Sequence, residues 1–343
     1  MMEVFFLSQK SNDLEYNQFR IKIKESVMKI SLVNPLEVDE KIIENHKAKL
    51  ESMGHEFISY DNNAKDDDEL IERLKDTDIA IVTNKPLSAE IIDAAENLKL
   101  IDVAFTGVDH IDLDAVKENE ITLLNASGYS DDSVAELVIG LTIAVMRKFN
   151  ENNTNIFEGQ NNNLMGETIQ GKKFGIIGTG NIGTKLIGIL LAFGCEVLAY
   201  SRTEKEDIKN LGVTYVDLDT LLKESDVISL HIPNNNETKN FLGKEELDKM
   251  KENAILINCA RGPVVDNDYL AKLLNEDKIR AGIDVFDMEP PLPEDYPLRN
   301  ANNVVLTNHV GFYTREAMAN RAEIVFNNIY EYLNGNIINE IKL

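Results

Sequence analysis

The sequence predicts an α/β protein built from two domains, each a doubly wound parallel sheet. Three observations carry that reading. The chain has 343 residues, which at roughly 150 residues per domain allows two domains with a core each. From Lys29 onward, short β-rich apolar runs alternate with helical patterns, as strands do when helices join them and cover the sheet. The series runs twice, and a long apolar helix pattern followed by an Asn-rich stretch separates the two.

The first series opens with Ile30–Asn34 as a strand and Asp39–Met53 as an amphipathic helix. Strands follow at Phe57–Tyr60, Ile79–Thr83 and Leu100–Ala104, with helical stretches between them. Residues 1–27 do not join this pattern and read as an extension. Ser133–Lys148 reads as a long helix, because Val134, Leu137, Val138, Leu141 and Val145 recur at helical spacing. Ile139, Ile143 and Met146 add a second apolar face, more than one core is expected to cover, and this favours a homodimer. Asn150–Asn163 reads as a solvated loop.

The second series begins at Lys172. Its strands are Phe174–Ile177, Glu196–Tyr200, Val227–Ile232, Ala254–Asn258, Ile279–Val285 and Val304–Thr307, with Asn181–Phe193 as a helix after the first. A final helix, Arg315–Leu333, follows the last strand directly. If it packs back on the N-terminal half, the second domain is inserted into the first. One domain is then 1–126 with 315–343, and the other is 127–314.

Composition excludes several classes of function. Lys and Arg number 35 against 59 Asp and Glu, a net charge of −24, and such a surface repels nucleic acid and anionic lipid. Any site for an anion must therefore build its positive potential locally. The two cysteines, Cys195 and Cys259, are too few for a disulfide framework and fit reduced thiols in the cytoplasm. No apolar run approaches the roughly 20 residues that span a bilayer, and Val4–Leu7 is too short for a signal-peptide core. No metal site is assigned.

Gly178-Thr179-Gly180-Asn181-Ile182-Gly183 fits G-x-G-x-x-G. The motif alone is weak, but here it follows the apolar run Phe174–Ile177 and opens a helix. Gly178 permits a tight turn, Gly180 lets the backbone approach a pyrophosphate, and Gly183 lets helix and strand pack closely. The helix N-terminus offers its N–H groups to the phosphates. The second domain thus reads as a Rossmann domain binding NAD(P). At the end of the next strand, where NAD-specific proteins carry an acid, stand Ser201, Arg202 and Thr203. A hydroxyl and a guanidinium can bond a 2′-phosphate, so NADPH is favoured over NADH; the bland alternative is an Arg202 that stacks on adenine or is solvated.

Three later strands end in polar residues, where α/β sheets bind ligands. These segments are Ile255–Gly262 with Arg261, Gly282–Pro290 with Asp284 and Glu289, and Val305–Gly311 with His309. Taken singly, Arg261 reads as an ion-pairing residue, Glu289 as a loop acid and His309 as a turn histidine. Taken together with Gly178–Gly183, Asn258–Asp266, Asp284–Pro290 and Asn308–Gly311, the chain from Met28 onward resembles the D-isomer-specific 2-hydroxyacid dehydrogenases. Phe105–Asp112 is similar to that family's carboxylate-binding loop, and Ser133–Leu137 to the start of its interdomain helix.

The resemblance implies a Rossmann domain inserted into a flavodoxin-like substrate domain, hydride exchange between NAD(P)H and a small anionic 2-oxo acid, and pairing through the helix that begins at Ser133. It implies His309 as proton donor, Glu289 as the acid that orients it, and Arg261 as the grip on the substrate carboxylate or carbonyl. His309 is the one of the five histidines in a strand-end motif with an acid partner available. Backbone N–H groups of Thr106 and Gly107 would hold the carboxylate, and Asp284 would bond the nicotinamide carboxamide. His231, Pro233, Cys259, Ala260 and Gly311 would complete the cofactor site, with Asn181 and Ile182 in the glycine turn. An acid at Glu289 argues against the formate-oxidising relatives, which carry Gln there. Two alternatives stand beside a glyoxylate or hydroxypyruvate reductase. One is a short 3-phosphoglycerate dehydrogenase, in which Lys85 would meet the distal phosphate; the other is a dinucleotide-sensing corepressor-like binding protein.

Overall fold

The computed structural model describes residues 26–343; the extension read as 1–27 lies, apart from Ser26 and Val27, outside the described residues. The chain divides into two compact units. One comprises the described residues up to Tyr129 with Arg315–Leu333 and the tail after it, and the other is Ser130–Thr314.

In the first unit, strands and helices alternate: β1 (Lys29–Leu32), α1 (Glu40–Ser52), β2 (Glu56–Ser59), α2 (Asp67–Leu74), β3 (Ile79–Val82), α3 (Ala89–Ala94), β4 (Leu100–Val103), α4 (Leu113–Glu118) and β5 (Thr122–Asn125). The five strands form a parallel sheet in the order β2-β1-β3-β4-β5, the flavodoxin-like arrangement. Strands β3 and β4 are buried at every position, which is why they read as continuous apolar runs with no alternation. Asp39, Asp66 and Asp112 cap α1, α2 and α4, each carboxylate accepting a backbone N–H of the first turn.

The second unit contains α5 (Asp131–Met146), α6 (Phe149–Phe157), β6 (Lys173–Ile177), α7 (Asn181–Ala192), β7 (Glu196–Tyr200), α8 (Glu206–Asn210), β8 (Thr214–Tyr215), α9 (Leu218–Glu224), β9 (Val227–Leu230), α10 (Lys244–Leu247), β10 (Ile255–Asn258), α11 (Asn267–Asn275), β11 (Arg280–Ile283) and β12 (Val304–Leu306). Its seven parallel strands run β12-β11-β10-β9-β6-β7-β8. The order reverses between β6 and β9, the doubly wound Rossmann pattern. Separate apolar clusters cover the two faces, one built on α5 and α7, the other on α9, α10 and α11. The final helix, α12 (Arg315–Leu333), packs on β4 of the first unit. Among the described residues no helix is long and apolar enough to cross a membrane.

Two expectations need correction. The stretch read as a solvated loop begins with α6. Its asparagines do not break the helix, because they satisfy the backbone of its start: Asn152 Nδ2 donates to the carbonyls of Arg147 and Lys148, and Thr154 Oγ1 to that of Asn150. The helix buries none of its residues, so no apolar periodicity announced it. The second correction concerns α5. Ile139 and Met146 are both buried within a single chain, among residues of the same cluster as α7 and β6. The positions left exposed are Asp132, Glu136 and Gly140, so the apolarity of this helix does not call for a second subunit.

One buried charge stands out in the first unit. Asp102 on β4 is fully buried, and burial pushes its carboxyl up to about 8, against a weaker opposing effect of its hydrogen bond from Asn328. Its Oδ1 accepts from Asn328 Nδ2 at 3.0 Å, and its Oδ2 has no partner. A carboxyl whose folded pKa lies above its unfolded value of 3.8 favours the fold below that value, and the contribution is lost as pH rises toward 8. Across that window the slope approaches about 1.4 kcal/mol per pH unit. Asp102→Asn is therefore expected to melt closer to wild type at pH 4 and progressively higher than it by pH 8, in thermal unfolding followed across pH. A constant offset at every pH would show that Asp102 does not titrate in this window.

Candidate active site

The glycine turn joins β6 to α7. Gly178 takes φ +100°, and a Cβ there would lie 2.5 Å from the His231 carbonyl oxygen; at Gly183 a Cβ would lie 2.1 Å from the oxygen of Gly178. Neither position accepts a side chain. Gly180 differs, since the space beside it is open. It is the N-cap of α7 and supplies no side-chain cap, so the first N–H groups of the helix stay available to an anion. Open backbone at Gly180, closed packing at Gly178 and Gly183, and an uncapped helix start together fit the pyrophosphate of a dinucleotide.

Around this turn, Gly178 N donates to the Tyr200 carbonyl and His231 N to that of Ile177, each at 2.8 Å, which ties the ends of β7 and β9 to the glycine loop. His231 Nε2 bonds Ser229 Oγ at 2.9 Å, and burial pushes its pKa down to about 4, so the ring is neutral. Beyond β7, Arg202 pairs with Glu237 at 3.2 Å, and both are largely exposed. The loop carrying Glu237 is fixed by Asn235, whose Oδ1 accepts the N–H groups of Glu237 and Thr238.

The ends of β10, β11 and β12 lie side by side in the sheet, and they carry the three strand-end residues. After β10, Asn258 shapes a tight turn. Its Oδ1 accepts from Ala260 N and its Nδ2 donates to the Arg261 carbonyl, both at 3.0 Å. The Arg261 Nη1 donates to the Ala260 carbonyl at 2.8 Å. Gly262 then passes so close to the backbone of Phe286 that a Cβ would come within 2.0 Å. Cys259 is no nucleophile, because burial and the Asp284 charge hold its thiol well above the usual range.

After β12, His309 adopts φ +53°, left-handed backbone that costs a non-glycine residue energy. Asp284, at the end of β11 and 1% exposed, holds it there. Its Oδ1 accepts from Thr307 Oγ1 at 2.6 Å and Val310 N at 2.8 Å, and its Oδ2 from Gly311 N at 2.8 Å. This is the carboxylate expected to bond a nicotinamide carboxamide, and here three of its roughly four acceptor sites also hold the loop that presents His309. His309 Nδ1 lies 2.9 Å from both oxygens of Glu289, and its ring meets the edge of Phe312, centroids 5.4 Å apart. The Glu289 strand end is steadied from below, where Asp287 accepts from Asn267 Nδ2 and Tyr296 Oη. Sequence reasoning does not single out Asn258, Asn267 or Tyr296. For Asn258 a signal exists, a polar residue closing an otherwise apolar strand.

The family model for the NAD-binding domain of D-isomer-specific 2-hydroxyacid dehydrogenases matches residues 139–311, half the chain, with Arg261, Asp284, Glu289 and His309 inside the match. The chain belongs to that family. A hydroxypyruvate reductase of Thermotoga maritima is 39% identical over 77% of this chain and 88% of its own length. A glyoxylate reductase of Thermofilum pendens is 38% identical over 78% and 82%. Among solved structures, an acyclic imino acid reductase in complex with NADPH and D-Arg superposes with a TM-score of 0.83 at 32% identity, covering 92% of this chain and all of that one. This D-2-hydroxyacid dehydrogenase is thus an oxidoreductase that exchanges hydride between NAD(P)H and a 2-oxo acid or D-2-hydroxy acid.

Thr106 and Gly107 lie in the first unit, on the turn after β4. Their N–H groups donate to no acceptor among the described residues.

Proposed function

We propose that this dehydrogenase reduces small 2-oxo acids such as glyoxylate and hydroxypyruvate, prefers NADPH, and uses Arg261, Glu289 and His309 as its catalytic residues. The observation that carries the proposal is the histidine–acid pair. Both oxygens of Glu289 face Nδ1, which fixes the ring and its tautomer. Nε2 makes no hydrogen bond among the described residues and is the atom left to hand a proton to a carbonyl oxygen. Bound at the Gly178–Gly183 turn, the dinucleotide supplies the hydride.

The chain's own groups do the rest. Asn181, Ile182 and Gly183 receive the pyrophosphate at the start of α7. Arg261, its backbone held by Asn258, offers its planar fork to the carboxylate or carbonyl of the substrate. The unbonded N–H groups of Thr106 and Gly107 hold the carboxylate. Donation from Nε2 leaves His309 neutral with its remaining proton on Nδ1 toward Glu289, and the reverse reaction starts from that form. The identities of 39% and 38% with hydroxypyruvate and glyoxylate reductases support this substrate class.

His309→Gln is expected to lower kcat by roughly 10²–10⁴-fold with NADPH binding retained, measured by steady-state assay and cofactor titration. Turnover near wild type would remove His309 from the mechanism.

The NADPH preference rests on Arg202, Ser201 and Thr203 in place of an acid. The Arg202 partner, Glu237, is exposed, so a 2′-phosphate has to win the guanidinium from a carboxylate held weakly in water. Arg202→Ala should raise the KM for NADPH about tenfold and leave that for NADH nearly unchanged, since a hydrogen-bonded charge pair contributes about 1.5–3 kcal/mol. Equal effects on both cofactors would mean that Arg202 reads no phosphate.

A homodimer is part of the proposal. Support comes from beyond α5, where Phe149, Ile156, Phe157 and Met165 are all exposed, Met165 by 91%. So many large apolar side chains in one short stretch mark an association surface. Light scattering at micromolar concentration should give twice the chain mass of 38.6 kDa. A monomer mass would end this part of the reading.

A further inference from the structure

We infer that Asn125 is a positioning residue for substrate: it aims the Gly107 N–H, and a buried amide–carboxyl node at Asn328 and Asp102 holds Asn125 in turn. The inference rests on the proposed carboxylate-holding role of Thr106 and Gly107, and extends it to residues that never touch substrate.

In a trans peptide the C=O and the N–H point in opposite directions. The carbonyl of Thr106 and the N–H of Gly107 belong to one such plane, so a bond that fixes the carbonyl also fixes the N–H. Asn125 Nδ2 donates to the Thr106 oxygen at 2.7 Å. The carbonyl is thereby drawn toward the end of β5, and the Gly107 N–H points away from it. The same bond polarises the peptide and makes its N–H a stronger donor.

The turn before Thr106 is anchored independently. Ala126 N donates to the Phe105 carbonyl at 3.1 Å. The Phe105 ring lies edge-on to Tyr129 and under the guanidinium of Arg321, 4.8 Å from its centroid. These contacts fix where the loop starts. They leave the tilt of the Thr106–Gly107 peptide to Asn125.

Asn125 can do this only if it is itself immobile. It is 6% exposed. Its N–H donates to the Asn339 carbonyl at 3.2 Å, and its carbonyl accepts from Asn328 Nδ2 at 3.1 Å. Asn328, on α12 and fully buried, uses the same nitrogen on Asp102 Oδ1 at 3.0 Å and accepts from Asn339 Nδ2 at 2.8 Å through its oxygen. One amide thus clamps β4, β5, α12 and the segment after α12 directly behind the loop. Apolar residues of similar volume would fill this space without the cost of an unpartnered Asp102 oxygen. What the polar set supplies is direction.

The test compares Asn125→Ala and the isosteric Asn125→Asp with Gly107→Pro, which deletes the N–H itself. Glyoxylate and hydroxypyruvate are varied at saturating NADPH, and thermal midpoints establish that each variant is folded. Both Asn125 variants should raise the KM for the 2-oxo acid about tenfold or more, with kcat within about threefold of wild type and the KM for NADPH unchanged. Asn125→Asp should exceed Asn125→Ala, because its carboxylate repels the Thr106 carbonyl. A merely structural role would lower kcat and both KM-dependent terms together. If Gly107→Pro raises the KM while the folded Asn125 variants do not, the positioning role falls and the carboxylate reading stands. An unchanged KM in Gly107→Pro overturns that reading, and this inference with it.

Discussion

The proposed chemistry depends on one buried carboxylate that does none of it. Asp284 accepts two backbone N–H groups and a hydroxyl from Thr307–Gly311, and in doing so forces His309 into left-handed backbone. A residue in that conformation costs of order 1–3 kcal/mol, and it persists only where its surroundings over-determine it. Three charge-assisted bonds to a carboxylate of 1% exposure offset a cost of that size. The His309 ring is then carried to Glu289, 20 residues away in sequence. Loss of the Asp284 charge would free the backbone first and disperse the histidine–acid pair as a consequence.

The same logic explains how three distant residues come together. Neighbouring strands β10, β11 and β12 are parallel and in register, so their carboxyl ends fall at one level, and the turns that leave these ends are neighbours in space. Asp284 N donates across that level to the Asn258 carbonyl at 2.9 Å, and Gly262 packs against Phe286 with no room for a methyl group. The sheet supplies the level, while buried polar side chains supply the angles. The first unit repeats the device. Asp102, Asn125 and Asn328 sit where apolar residues would pack as well, and their bonds orient the turn after β4.

The legible parts of the sequence are those with a period or a packed motif. Strands buried on both faces appear as apolar runs, and the glycine turn, Arg261, Glu289 and His309 stand at strand ends that such runs define. The pairing of Glu289 with His309 is implied by the family resemblance, since each residue taken singly has an ordinary loop or turn reading. Other features have no such signal. The helix α6 buries nothing, so its sequence carries no moment toward a core, and its Asn residues read as loop until their side chains are seen to bond the backbone. The second apolar face of α5 suggests a partner, yet α7 and the sheet of the same unit cover it; a helix between two layers is apolar all round for reasons internal to one chain. Asp284 stands out by its position at a strand end. Its bonds to Thr307, Val310 and Gly311 do not, because sequence shows that a carboxylate is present and not which donors reach it first.

A protein of net charge −24 that binds two anions must separate long-range from short-range electrostatics. At physiological ionic strength the Debye length is about 8 Å, so the acidic surface repels a dinucleotide or a 2-oxo acid mainly at low salt. At contact the proposed reading leaves the balance to a few donors. Most of these are neutral: the uncapped start of α7 and the N–H groups of Thr106 and Gly107. Backbone donors add no formal charge, need no counterion, and are directional to within the tilt of a peptide plane. Guanidinium groups enter the proposal at two points, Arg261 and Arg202, and the second is already paired with Glu237. On the proposed reading anions are recognised chiefly by where these N–H groups point, and that places a premium on buried carboxylates and amides that do nothing except aim them.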